Sequence, residues 1–157
     1  MSEQANIAFI KECYDAYAKA DAPRLLSYMA PDVDWTLPEM PGLAFAGKKK
    51  GRDGVQEFFR QVSEAQQLRQ FEPKEFFANG DRVVVLGTHA WTVRSNGVDI
   101  AGDWVHIFTV KDGQITAFNQ VLDTHEAMVA HGKPPDPSVA RAWKGEMLQP
   151  VTQAPRV

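Results

Sequence analysis

Two alternating apolar segments, residues 83–94 (VVVLGTHAWTVR) and 98–111 (VDIAGDWVHIFTVK), constrain this chain more than any other feature. Val, Ile, Thr, Trp and Phe at period two fit strands with one buried face. Ser95, Asn96 and Gly97 join them, and an Asn-Gly step between such runs predicts a β-hairpin, because a two-residue type I′ turn needs positive φ at both positions. With Asn96 and Gly97 in that turn, His89 faces Trp104 and Gly87 faces His106. Side chains alternate along a strand, so His89, Trp91, Trp104, His106 and Phe108 share one face. His89 and His106 are then diagonal neighbours, roughly 7–8 Å apart at the backbone. Two imidazoles and two indoles on one face suit a pocket wall better than a dry core.

The flanking segments are shorter and easily read. Residues 5–20 have helical periodicity, with Ile10, Cys13 and Tyr17 opposite the polar arc of Lys11, Glu12, Asp15 and Lys19. Tyr14 lies beside that stripe as a packing residue. Asp21 is placed to cap a short second helix containing Pro23, which Pro31 ends. Residues 32–37 alternate as a strand, 38–51 form a Pro/Gly-rich loop, and a third helix over 52–66 presents Val55, Phe58, Phe59 and Val62 inward. Strands over 71–78 and 114–122 complete the set. Helices followed by a run of antiparallel strands make an α+β pattern. Residues 1–131 read as one domain, and 132–157, with five of the ten prolines, as a tail or dimer arm.

Composition excludes several classes of function. With 17 basic and 20 acidic residues the formal charge is −3, which gives no electrostatic basis for nucleic-acid binding. Lys48, Lys49 and Lys50 read as a solvated loop. No apolar run approaches the ~18 residues of a membrane span. A single cysteine, Cys13, forbids an internal disulfide. With no visible signal peptide, it leads to the expectation of a soluble, cytoplasmic protein. His89 and His106 with Asp123 or His125 could ligate a metal, but HxH, HExxH and CxxC spacings are missing, so none is expected. No Gly-rich phosphate loop or GxSxG elbow is present, and no cofactor is expected.

The run Ala30-Pro31-Asp32-Val33-Asp34-Trp35, the Gly51-Arg52-Asp53-Gly54-Val55 step into Phe58-Phe59, and Asp112-Gly113-Gln114-Ile115 before Asp123-Thr124 carry a resemblance. Over residues 5–125 the chain resembles the nuclear transport factor 2-like, SnoaL-like superfamily of ketosteroid isomerases, polyketide cyclases and scytalone dehydratases. The resemblance implies a cone-shaped barrel, a strongly curved and mostly antiparallel sheet wrapped around helices and enclosing one deep pocket. It also implies that Trp35, Trp91, Trp104, His89, His106 and Tyr17 face the pocket. His106 stands where the isomerases place an oxyanion-hole acid and the dehydratases a histidine. His89 is similar to the dehydratases' second histidine, and Tyr17 to their carbonyl-polarising tyrosine.

The resemblance also has gaps. Leu37, before Pro38, stands where the isomerases keep their basic Asp; Gln120 stands in place of the cyclases' Asp, and Ala18 in place of the dehydratases'. The register of the last strand is open. A two-residue turn at Asp112-Gly113 turns Asn119 to the His106 face, whereas a three-residue loop turns Phe118, Gln120 and Leu122 there; the family pattern favours Gln120. Alternation points Asp34 and Asp103 outward, and Asp123 reads as structural at the strand exit. Two functions fit: a cofactor-free lyase or isomerase acting on a small apolar ring compound through His106, His89 and Tyr17, or a non-catalytic binding protein for a small apolar or aromatic ligand. A homodimer through the exposed sheet face is expected, since the fold commonly dimerises.

Overall fold

A computed structural model describes residues 2–133. Helices α1 (Glu3–Ala18) and α2 (Ala22–Ser27) precede strands β1 (Met29–Thr36) and β2 (Lys48–Lys50). Helix α3 (Gly51–Ala65) leads into β3 (Gln66–Asn79), β4 (Arg82–Val93), β5 (Asp99–Lys111) and β6 (Gln114–Leu122), and α4 (Thr124–Ala130) follows. The six strands lie in one sheet of order β2-β1-β6-β5-β4-β3, antiparallel except for the β1–β6 pair. The architecture is the expected α+β cone, but the sheet is open: β2 and β3 are edges, not a closed barrel seam.

Local chemistry accounts for the elements. Ser2 caps α1 by accepting from the Ala5 N–H, and Asp21 caps α2 through the Arg24 N–H. Ile10, Cys13 and Ala16 turn α1 toward the sheet. On α3, Val55 and Phe58 are buried while Arg60 pairs with Glu57 and Glu64 on the solvent side. The Arg52 guanidinium donates twice to the Met29 carbonyl, at 2.9 and 2.7 Å, and so fixes the start of α3 against β1.

Several expectations need correction. Pro31 does not end α2; Tyr28 caps it, and Pro31 lies inside β1, where its missing N–H coincides with a break in the β1–β6 register. Lys48–Lys50 is a short edge strand on β1, not a loop, with Lys50 Nζ 2.9 Å from Asp34 Oδ1. Strand β3 is longer at both ends than the expected 71–78. Helix α4 was not anticipated; Asp123 caps it by accepting from the Glu126 N–H. The expected tail or arm over 132–157 lies, from residue 134 onward, outside the described residues.

The hairpin register shifts by two. Only Gly97 has positive φ (+73°), and a four-residue loop over 94–97 is closed by Val93 N–H to Val98 O at 2.8 Å. Asn96 is used otherwise: its Oδ1 accepts from the Val98 N–H and its Nδ2 donates to the Ala130 carbonyl of α4. Gly87 therefore faces Trp104, and His89 faces Gly102. His89 and His106 are not diagonal neighbours. Because the shift is even, both still share one face.

The last strand resolves in a way neither alternative anticipated. Asp112 and Gly113, at φ 51° and 71°, form the two-residue turn. That turn alone would bring Asn119 inward. A bulge at Thr116 then moves the pairing by one residue, from Val110 opposite Ile115 to Thr109 opposite Ala117. Ile115 and Phe118 are thus both buried, and Gln120 faces His106.

Candidate functional site

The concave sheet face, α1 and α3 enclose a cavity of about 520 Å³, with Ala127 and Glu126 of α4 on its border. All eight residues singled out in the sequence, namely His106, His89, Tyr17, Trp35, Trp91, Trp104, Phe118 and Gln120, line it. A volume of this size holds a compound of two or three fused rings.

His106 is buried, 6% exposed, between the ring of Trp104 at 3.9 Å and that of Phe118 at 4.7 Å. Its Nδ1 is 2.8 Å from the hydroxyl of Tyr14. Tyr14 was read as packing, and Tyr17 as the helix tyrosine that reaches the substrate. The structure pairs Tyr14 with His106, whereas Tyr17 packs on Phe59 and Phe71 and makes no hydrogen bond among the described residues. Helical spacing carried a signal for this: Ile10, Cys13, Tyr14 and Tyr17 form one i, i+3, i+4, i+7 stripe, with Tyr14 at its edge.

Electrostatics settle the protons. Burial, and then the nearby His89, hold His106 well below the ordinary histidine value, so its ring is neutral near pH 7. Burial pushes the Tyr14 phenol up, so it keeps its proton. That proton has one acceptor within reach, His106 Nδ1. The arrangement that satisfies both groups has Tyr14 donating to Nδ1, which leaves the imidazole proton on Nε2. Nε2 makes no hydrogen bond among the described residues and is free to donate to a ligand oxygen.

His89 is half-buried on the same wall. Burial lowers its basicity and the Asp103 carboxylate partly restores it. Gln120, opposite His106 in the register, leaves its amide unbonded among the described residues. Trp35 stacks on Phe118 at 3.8 Å, as their pairing across β1 and β6 dictates. Cys13 also lines the cavity, but burial raises its thiol to about 12, which removes it as a nucleophile.

Gly87 is where backbone and site meet. The Trp104 indole lies across β4 at this residue, and a Cβ there would approach Trp104 Cζ2 to 2.1 Å and the Glu72 carbonyl oxygen to 2.6 Å. Only glycine lets the indole lie flat and stack on His106.

The carboxylates on the cavity are Asp103, Asp123 and Glu126, all exposed. Leu37, where the isomerases keep an acid, is 3% exposed and part of the core. Among the described residues no three His, Cys, Asp or Glu side chains come together to hold a metal ion. None of the described helices is long and apolar enough to cross a membrane.

An open curved sheet closed by helices over one aromatic cavity defines a nuclear transport factor 2-like cone. The chain belongs to the SnoaL-like domain family, whose pattern spans residues 10–118. It is similar to a nuclear transport factor 2-like protein of unknown function from Burkholderia pseudomallei, at 35% identity and TM-score 0.75, over 83% of this chain and 98% of that one. It is also similar to TerC, solved in co-crystals with polyporic acid, at 34% identity and TM-score 0.73, over 81% and 98% of the two chains. A third similar structure is a nuclear transport factor 2-like protein from Burkholderia xenovorans, at 31% identity and TM-score 0.75, over 83% and 98%. No curated protein matches the chain.

Proposed function

We propose that this protein is a cofactor-free lyase or isomerase acting on a small, mostly apolar ring compound that carries a carbonyl or hydroxyl group. The observation that carries this reading is the 2.8 Å contact between Tyr14 and the buried His106 inside the cavity. Tyr14 holds the tautomer whose Nε2–H donates to the substrate oxygen. His89, neutral and half-buried, removes a proton from the carbon next to the carbonyl. The negative charge moves onto the oxygen and is met by the His106 N–H, which acts as a neutral electrophile in a dry site. Returning the proton to another carbon completes an isomerisation. Loss of a β-hydroxyl group, protonated by the His89 imidazolium so that it leaves as water, completes a dehydration and returns His89 to its neutral form. Tyr17 and Gln120 orient the oxygen, while the tryptophans hold the ring.

Deuterium exchange at the α-carbon of α-tetralone, followed by proton NMR, tests the shared first step. Exchange that exceeds buffer and falls at least tenfold in His106→Ala and in His89→Ala supports the reading. Exchange no faster than buffer, from a protein that binds the ketone, overturns it. That outcome would favour the second reading, a ligand-binding protein without turnover. The observation on its side is that, among the described residues, no buried carboxylate lines the cavity. Polyporic acid, the compound crystallized with TerC, belongs in the binding panel.

A further inference from the structure

Four buried side-chain atoms lack a hydrogen-bond partner among the described residues, and two of them belong to the cavity wall: Nε1 of Trp35 and Nε1 of Trp104. Both side chains are nearly sealed, 5% and 1% exposed. Indole is a donor only, and a buried indole N–H ordinarily finds an acceptor. Two such failures on one cavity point to partners that arrive with the ligand.

The two indoles are not interchangeable. Trp104 stacks on His106, His106 meets Phe118 edge-on, and Phe118 stacks on Trp35, so two rings separate the indoles along this wall. One ligand oxygen cannot serve both ends. The central position already has its own donor, the His106 imidazole.

We propose that the ligand of this cavity is an elongated aromatic compound with oxygen acceptors at both ends, and that Trp35 and Trp104 are the donors that recognise them. This rests on the cavity being a ligand site, as the proposed function requires, and adds to it two specificity-determining residues and a substrate class. Both N–H groups are shielded by the surrounding side chains. A ligand oxygen therefore meets them only once the indoles turn toward the cavity that both side chains line.

Isothermal titration of the whole chain with 4,4′-dihydroxybiphenyl, 4-hydroxybiphenyl and biphenyl tests this. These probes offer two, one and no oxygens on one scaffold. The wild type is expected to bind the diol at least tenfold tighter than the mono-ol, and the mono-ol tighter than biphenyl. Trp35→Phe and Trp104→Phe keep a ring and delete the N–H. Each is expected to weaken the diol about five- to tenfold and to leave biphenyl within twofold. Circular dichroism identifies a variant that fails to fold, and the wild-type ranking of the three probes then decides alone. Equal wild-type affinity for all three, or equal losses across the probes in both variants, overturns the proposal and leaves the acid–base reading standing. Binding of none of them by the wild type overturns the proposal, and absence of α-tetralone binding as well removes the ligand site itself.

Discussion

Replacing Tyr14 with Phe isolates the bond that organises the site. The ring keeps its contacts with Phe71, Phe76, Trp104 and Phe108, so the packing survives. What is lost is one hydrogen bond, 2.8 Å long, to a nitrogen on a side chain 6% exposed. A buried acceptor left without its donor costs about 1–3 kcal/mol. In a domain of this size that lowers Tm by roughly 2–12 °C, at about 2–4 °C per kcal/mol. The same change releases the tautomer, since nothing then holds Nδ1 without a proton. The 15N resonances of His106 should report an Nε2–H ring in the wild type and a mixture of tautomers in the variant. The deuterium exchange of α-tetralone should fall 10- to 100-fold, because the N–H that meets the developing charge is no longer always present. Unchanged Tm together with unchanged 15N shifts would refute the argument: the contact would then carry neither stability nor proton placement.

Three further outcomes follow from the geometry. Gly87→Ala forces the Trp104 indole off β4, and overpacking of this kind costs about 1–3 kcal/mol; urea denaturation reads the loss, and near-UV circular dichroism reads the displaced indole. Burial holds His106 and His89 below their ordinary value of ~6.5, so the unfolded chain takes up those protons first as pH falls. The histidine contribution is therefore fully present above about pH 6.5 and is lost below it. Urea midpoints at pH 7.5 and 5.5 should differ, and His106→Gln should shrink that difference; an unchanged difference would show that other groups set it. We also propose that the outer sheet face, where Phe77, Val84 and Ile107 lie in one row and Leu86, Val105 and Val121 in the next, pairs two copies of the chain. Sedimentation should give a dimer for the wild type and a monomer for Val121→Asp, and a wild-type monomer would end the idea.

Much of the fold was legible because strand parity is robust. His89 and Trp91 on β4 and Trp104, His106 and Phe108 on β5 reach the cavity as alternation alone predicts, and the two-residue slip of the hairpin leaves parity intact; Asp103, expected to point outward, nevertheless lies on the cavity border. The slip itself was not legible. Asn96 has two destinations for its amide, the type I′ turn and a bond to the Ala130 carbonyl of α4, and the second wins through a contact 34 residues away. The bulge at Thr116 was equally hidden, since no Gly marks it, and it alone sends Gln120 rather than Asn119 to the His106 face. Other features left signals that were passed over. Asp123 followed by Glu126 is a capping pair, and it announces α4. Tyr14 on the edge of the apolar stripe of α1 announces a side chain that borders the sheet, but periodicity cannot say that its hydroxyl would meet an imidazole.

The missing acids narrow the chemistry more than the histidines do. A buried carboxylate base, as in related isomerases, would hold one negative charge in the cavity before the substrate enters and pass it to the enolate as the carboxylate takes the proton. Here the buried part of the resting cavity is neutral, with carboxylates only on its exposed border: His106 and His89 are both held below the ordinary histidine value, and Tyr14 keeps its proton. Proton transfer from substrate to His89 then creates one cation and one anion within the same low-dielectric space, and their attraction favours the transition state as it develops. Such a pair is effective only while water is excluded. Substitutions that open the border at α4 should therefore depress the exchange rate more than they depress ligand affinity. Ala127→Asp, which would bring a charge to a 6% exposed position on that border, is the direct way to separate the two.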